Sequence, residues 1–148
     1  MAFISVTRLR IRSIRFVPGF ALHTFRSLKQ VKHANGFEGG AVLFDRSWTF
    51  WTMTAWKSNE SMRWYMTTGS HKIAMPRLLD WCDEACVVHW DQPDTGLPSW
   101  NAADQRMRKD GRTSKVHNPS PQHATLNYRP PRTTMGRTIQ PAASSVGG

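Results

Sequence analysis

The side chains best suited to chemistry in this sequence lie between Trp51 and His89. His71 is followed by Ala74, Met75 and Leu78 at i+3, i+4 and i+7, which places it on the apolar face of a helix. An imidazole on such a face, near Tyr65, Thr52 and Thr54, could take a proton from an enolisable phenol or ketone. Trp51, Trp56, Tyr65 and Met66 would line an apolar cavity, and Thr52 or Thr54 would donate hydrogen bonds inside it. Successive strand residues point to opposite faces, so Trp51 and Thr52 cannot both face one pocket. The competing reading is ordinary core: aromatic packing, with His71 satisfied by a backbone group or a threonine hydroxyl.

Cys82-x-x-x-Cys86-x-x-His89 has zinc-ligand residue types. The set lacks a fourth ligand and straddles an expected change from helix to strand, and free cysteine is commonly buried as a small apolar residue. No metal is therefore expected. Arg8, Arg10 and Arg12 share one side of a strand, as a solvated strand end or as an anion site or subunit contact. The chain of 148 residues carries 20 basic and 10 acidic groups, a formal charge of +10, which favours anionic partners without choosing among them. No zinc-finger spacing or RNP-type aromatic motif accompanies the charge, so nucleic acid is not the expected partner.

The elements that must position these residues follow from periodicity. Phe3 to Ile14 alternates as a strand. Pro18 and Gly19 introduce a helix whose apolar stripe runs from Val17 through Phe20, Phe25 and Leu28 to Val31, with His23 and Gln30 on the opposite, solvated face. Asn35-Gly36 and Gly39-Gly40 turn the chain back, a short strand covers Ala41 to Phe44, and the polar Asp45-Arg46-Ser47 joins it in a hairpin to the aromatic run Ser47–Trp56. Ser58 or Asn59 caps a second helix that stalls near Gly69. The apolar face then continues from Ser70 to Ala85, with a kink or restart at Pro76 and both cysteines at the helix end. Val87 to Trp90 makes a last strand.

Three segments result: a domain over residues 1–92, a short helical extension over 93–111, with Ser99 as cap and Gly111 as terminator, and a basic, Pro-rich arm over 112–148 that is expected to be extended or disordered. Trp100 and Met107 of the extension can dock on the domain. No run approaches the roughly 20 apolar residues of a membrane span, and no signal-peptide pattern appears. Seven basic residues precede Glu38 with no acidic one, in the manner of a transit peptide, but the same segment carries the periodicity that the fold needs. A reducing, cytoplasmic setting is expected for the two thiols.

The order strand, helix, strand, strand, helix, strand is that of an α+β, ferredoxin-like βαββαβ half-barrel, an antiparallel sheet with two helices on one face. Its other face needs a cover, and a second copy of the chain is the economical one, giving a homodimer through the sheets. The pattern Phe50-Trp51-Thr52-x-Thr54-x-Trp56, followed by Met62, Tyr65, Met66, Gly69, His71, Met75, Leu78, Trp81, Glu84-Ala85 and Trp90, resembles the dimeric α+β barrel superfamily, especially its antibiotic-biosynthesis-monooxygenase-like and uncharacterised bacterial branches. The resemblance covers about residues 1–92, a typical single-domain length. It implies a cofactor-independent monooxygenase acting on a small aromatic or polyketide-like molecule, or a silent ligand-binding member of the same fold. The haem-degrading branch uses an Asn, a Trp and a His where this chain has Thr7, Tyr65 and Met75, so the resemblance argues against haem degradation.

Overall fold

The alternation after Met1 forms strand β1 (Ala2–Ile11), which sits inside a six-stranded sheet. The computed structural model describes residues 1–94 and 96–142. The other elements are α1 (Val17–Lys32), β2 (Phe37–Asp45), β3 (Thr49–Trp56), α2 (Asn59–Met66), α3 (Gly69–Trp81), β4 (Cys82–Gln92), α4 (Trp100–Asp110), β5 (Arg112–Thr113) and β6 (Gly136–Ile139). Strand order is β5-β4-β1-β3-β2-β6, and every neighbouring pair is antiparallel. The inner four strands with α1, α2 and α3 make the ferredoxin-like α+β unit.

Local chemistry explains the boundaries. Pro18 sits in the first turn of α1, where its missing N–H costs no hydrogen bond. Gly36 has φ +84°, and a Cβ there would collide with Ser61 Oγ, so only glycine lets β2 leave α1 beneath α2. Ser58 caps α2 by accepting from the Ser61 amide at 3.2 Å. The β2–β3 hairpin turns through Arg46–Trp48, with Ser47 and Trp48 at φ +60° and +55°, the same length as the polar tripeptide Asp45-Arg46-Ser47 but shifted one residue along the chain.

Helix α3 begins at Gly69 (φ +59°) and runs unbroken through Pro76 to Trp81. The expected apolar face to Ala85 is cut short there, because β4 starts at Cys82, five residues before the expected strand. Both cysteines are consequently strand residues, not helix-end residues. A bulge puts Asp83 between Glu84, which pairs with Arg10, and Cys82, which pairs with Ile11. The extra residue reverses the side-chain parity, so Cys82 joins Ile11 and Phe20 while Cys86 joins Ile4, Val6 and Trp51 on the other face. The Cys-x-x-x-Cys-x-x-His spacing does not gather its members.

The second face of the sheet is covered by the chain itself. Helix α4, capped by Ser99 and ended at Gly111 as expected, lays Ala103 and Met107 on Ile4, Val6, Leu43, Trp51, Met53 and Val88. Residues 112–142 hold little regular structure, with turns over 121–126 and a single 3-10 turn at Thr133–Met135, but they are docked. They pair as β5 with β4 at one sheet edge and as β6 with β2 at the other, and between the two edges Tyr128 is buried over Trp51. The bare face that called for a second copy is therefore not bare.

The basic strand end is neither solvated nor an open anion site. Arg8 is 6% exposed and donates to Glu84 at 2.7 Å. Arg10 reaches the other Glu84 oxygen at 3.0 Å, and Arg12 donates to the Asp80 carbonyl. Ser120 from the arm also donates to Glu84, at 2.8 Å. Burial pushes the Glu84 carboxyl up, but the Arg8 and Ser120 hydrogen bonds outweigh it and hold the pKa below the ordinary value.

Candidate active site: a hydroxyl floor under three imidazoles

On the first face, strand register assembles a polar floor. Ser5 pairs with Thr54 on one side and His89 on the other, and Thr7 pairs with Thr52 and Val87. Directly opposed residues share a face, so Ser5, Thr7, Thr52, Thr54 and His89 all point toward the helices. Above them α1 contributes Phe20, His23, Thr24 and Ser27, while α2 and α3 contribute Tyr65, Met66, His71 and Leu78. The space between is a cavity of about 330 Å³. That is the scale of a small-molecule pocket.

His71 is held from two sides. Gln30 on α1 accepts the His71 backbone N–H at 2.9 Å and donates to the Thr68 carbonyl at 2.8 Å, so it clamps the α2–α3 junction. The imidazole Nδ1 lies 3.4 Å from the Met66 carbonyl. A carbonyl only accepts, so this contact assigns the proton to Nδ1 and leaves the Nε2 lone pair as the base. Burial lowers the His71 pKa, opposed by the Met66 hydrogen bond, and the ring is neutral at pH 7. Its centroid is 4.8 Å from that of Tyr65.

The remaining predicted residues divide by face. Thr52, Thr54, Trp56, Tyr65 and Met66 border the cavity with His71. Trp56 Nε1 donates to Thr54 Oγ1 at 2.8 Å, which occupies a Thr54 lone pair and leaves its proton to be donated inward. The Tyr65 hydroxyl donates to the Ser27 carbonyl at 3.0 Å, and burial raises its pKa, so Tyr65 shapes the wall and does not serve as an acid. Trp51 is turned away. Its indole packs against Trp100 and Tyr128 on the second face, and at most its backbone borders the cavity.

Five contributors escaped the sequence reading. His23, assigned to a solvated helix face, is only 8% exposed and packs on Trp81 with ring centroids 5.5 Å apart. Burial, then Arg77 and Arg26, lower its pKa. His89, weighed only as a metal ligand, stands beside Ser5 with its Nε2 buried and unpartnered among the described residues. Its pKa is lowered by burial and then by Arg112 and Arg63. Gln30 was placed on the same solvated face as His23. Ser5 and Thr7 were legible as one side of β1, and the strand's parity with Thr52 and Thr54 was the signal that would have joined them.

The cysteines offer no reactive thiolate. Burial pushes Cys82 up to about 12 and Cys86 to about 11. Among the described residues no group of three or more His, Cys, Asp or Glu side chains could hold a metal ion, and no helix is long and apolar enough to cross a membrane.

No family model and no curated protein matches the sequence. Solved structures do match the fold. A putative antibiotic biosynthesis monooxygenase from Nitrosomonas europaea superposes with a TM-score of 0.55 at 14% identity, over 62% of this chain and 99% of the other. SnoaB, a cofactor-independent oxygenase from Streptomyces nogalater, gives 0.53 at 13% identity over 66% and 98%. A conserved protein from Methanosarcina mazei gives 0.56 at 15% over 62% and 93%. The chain has the fold of antibiotic biosynthesis monooxygenase-like proteins and extends beyond it by about a third of its length.

Proposed function

We propose that this protein binds a small aromatic or polyketide-like molecule between sheet and helices and oxygenates it without a cofactor. The observation that carries the reading is the cavity of about 330 Å³ with His71 in its wall. Had Trp51, Tyr65 and Met66 filled that space, a silent structural member of the same fold would be the better reading. Trp51 lies on the opposite face, and the space is open.

The chemistry asks little of the protein beyond a base, donors and exclusion of water. His71 Nε2 takes the acidic proton of an electron-rich phenol or enolisable ketone. The hydroxyls of Thr54 and Thr52 stabilise the oxyanion. The activated carbon, sheltered by Trp56, Tyr65 and Met66, gives its electrons to dioxygen and forms a C–O bond. Loss of water then converts a CH₂ group into C=O, with one oxygen atom in the product and one in water. The partner in this reading is the small molecule. The face expected to carry a second copy holds the chain's own α4 and arm.

His71→Ala should abolish turnover of an anthrone-type or naphthol-type substrate, while the far-UV spectrum and thermal midpoint stay near those of the parent. General-base loss at one position costs on the order of 10²–10⁴ in rate. Unchanged oxygen consumption in the variant would refute the assignment.

A further inference from the structure

We infer that Arg112, reaching over the cavity from the C-terminal extension beside His89, makes one end of the pocket an anion-recognition end, so that the ligand is an aromatic molecule carrying a single anionic group. The inference rests on the cavity being the ligand site, as proposed above, and adds the charge and orientation of what it holds.

The argument begins with register. Arg112 in β5 pairs directly with Val87 in β4, and Val87 pairs with Thr7. All three share the first face, so the guanidinium projects over the floor that also carries Ser5 and His89. Ser114, two residues on, lies on the same side and borders the cavity with it. Arg112 is exposed, which puts it at a solvent-open end of the pocket. Among the described residues it forms no salt bridge, unlike Arg8, Arg10 and Arg12.

The composition of the wall gives the sign. Among the described residues no Asp, Glu or Lys borders the cavity, and Arg112 is the one charged side chain that does. His89, on the same floor, has a buried Nε2 with no partner among the described residues, and a buried polar atom without a partner calls for one. A carboxylate or sulfonate at this end would gain charge-assisted bonds from Arg112, while its ring system extends toward Tyr65 and His71. A cationic ligand would meet Arg112 and, among the described residues, no carboxylate. The inner fold alone lacks this feature, because Arg112 belongs to the segment beyond it.

Two fluorescent probes of one skeleton separate the possibilities: 8-anilinonaphthalene-1-sulfonate, which is anionic, and N-phenyl-1-naphthylamine, which lacks the sulfonate. Both are titrated into the full-length folded protein and into Arg112→Gln, with mutual competition to show that they share a site. The expected result is one site per chain and a Kd for the sulfonate raised on the order of tenfold in Arg112→Gln, with the neutral probe unchanged. Equal affinity of the sulfonate for both proteins overturns the role of Arg112 while leaving the cavity as a ligand site. Equal weakening of both probes also overturns it, since the residue would then be shaping the pocket and not reading charge. Binding of neither probe overturns the cavity reading and this inference together.

Discussion

At the scale of single residues, the three imidazoles in the cavity share one electrostatic consequence. His23, His71 and His89 all have pKa values lowered from 6.5, in each case chiefly by burial. Each is therefore neutral in the folded protein at a pH where the unfolded chain has begun to bind a proton. Where the unfolded state binds more protons, stability rises with pH. The contribution is complete above about pH 6.5 and is lost as pH falls through the lowered folded values. The thermal midpoint should climb as pH rises toward about pH 6.5, and the climb should flatten in a His71→Gln/His89→Gln variant. A midpoint independent of pH over that window would show the rings to be solvated. Oxygen consumption should fall at lower pH than stability begins to, as pH drops through the lowered folded pKa of His71 itself, because a protonated His71 has no lone pair to offer. Gln30 acts through His71: Gln30→Ala should lower kcat more than it raises KM, since it frees the His71 backbone without removing a group from the cavity.

At the scale of elements, the device that holds the extension in place is a buried tyrosine between two arginines. The guanidinium groups of Arg8 and Arg108 lie 4.1 and 4.2 Å from the Tyr128 ring centroid. The Tyr128 hydroxyl donates to Asp104 at 2.7 Å, and Arg108 bonds both Asp104 oxygens and the Tyr128 carbonyl. Tyr128→Phe keeps the ring and removes one bond to a buried carboxylate, a loss of about 1–3 kcal/mol. Tyr128→Ala also opens a cavity beside Trp51 and should cost about 3–5 kcal/mol. Urea denaturation of the two variants would separate the hydroxyl from the ring, and equal losses would mean that the ring contributes nothing. None of this was legible in the sequence, where Tyr128 sits between Asn127 and Arg129 in a Pro-rich stretch with no periodicity. What could be read was local. The alternation of β1 and β3, the Ser58 and Ser99 caps and the extent of α4 follow from nearest neighbours in the chain. Side-chain direction after Trp81 could not be read, because a single bulge at Asp83 reverses it. The burial of His23 depends on Trp81, 58 residues away, and no helical wheel shows that. That His71, Thr52 and Thr54 could share one cavity was legible because each lies on an element whose period survived into the fold.

At the scale of the whole molecule, the question is what covers the second face of the sheet. Ile4, Val6, Leu43, Trp51 and Met53 are essentially fully buried there, each worth about 1.5–3 kcal/mol in transfer terms. Their sum is on the order of 10 kcal/mol, comparable with the net stability of an ordinary domain, so that face cannot stand open to water. In the chain as folded, α4 lies across it and the arm spans from β5 at one edge to β6 at the other, which leaves no room for a second sheet while both stay docked. The full-length protein should therefore sediment as a monomer near its chain mass of 16.9 kDa at micromolar concentration. Met107→Asp sets an unpaired carboxylate under α4, at a position with no exposure, and should release the helix. The uncovered face should then self-associate, with a concentration-dependent rise in sedimentation coefficient. A full-length protein that sediments at twice the chain mass, with Tyr128 still protected from hydrogen exchange, would show that the arm covers the sheet and a partner binds elsewhere. The same mass with Tyr128 unprotected would show that a second copy displaces the arm, and Arg112, carried on that arm, would leave the cavity with it.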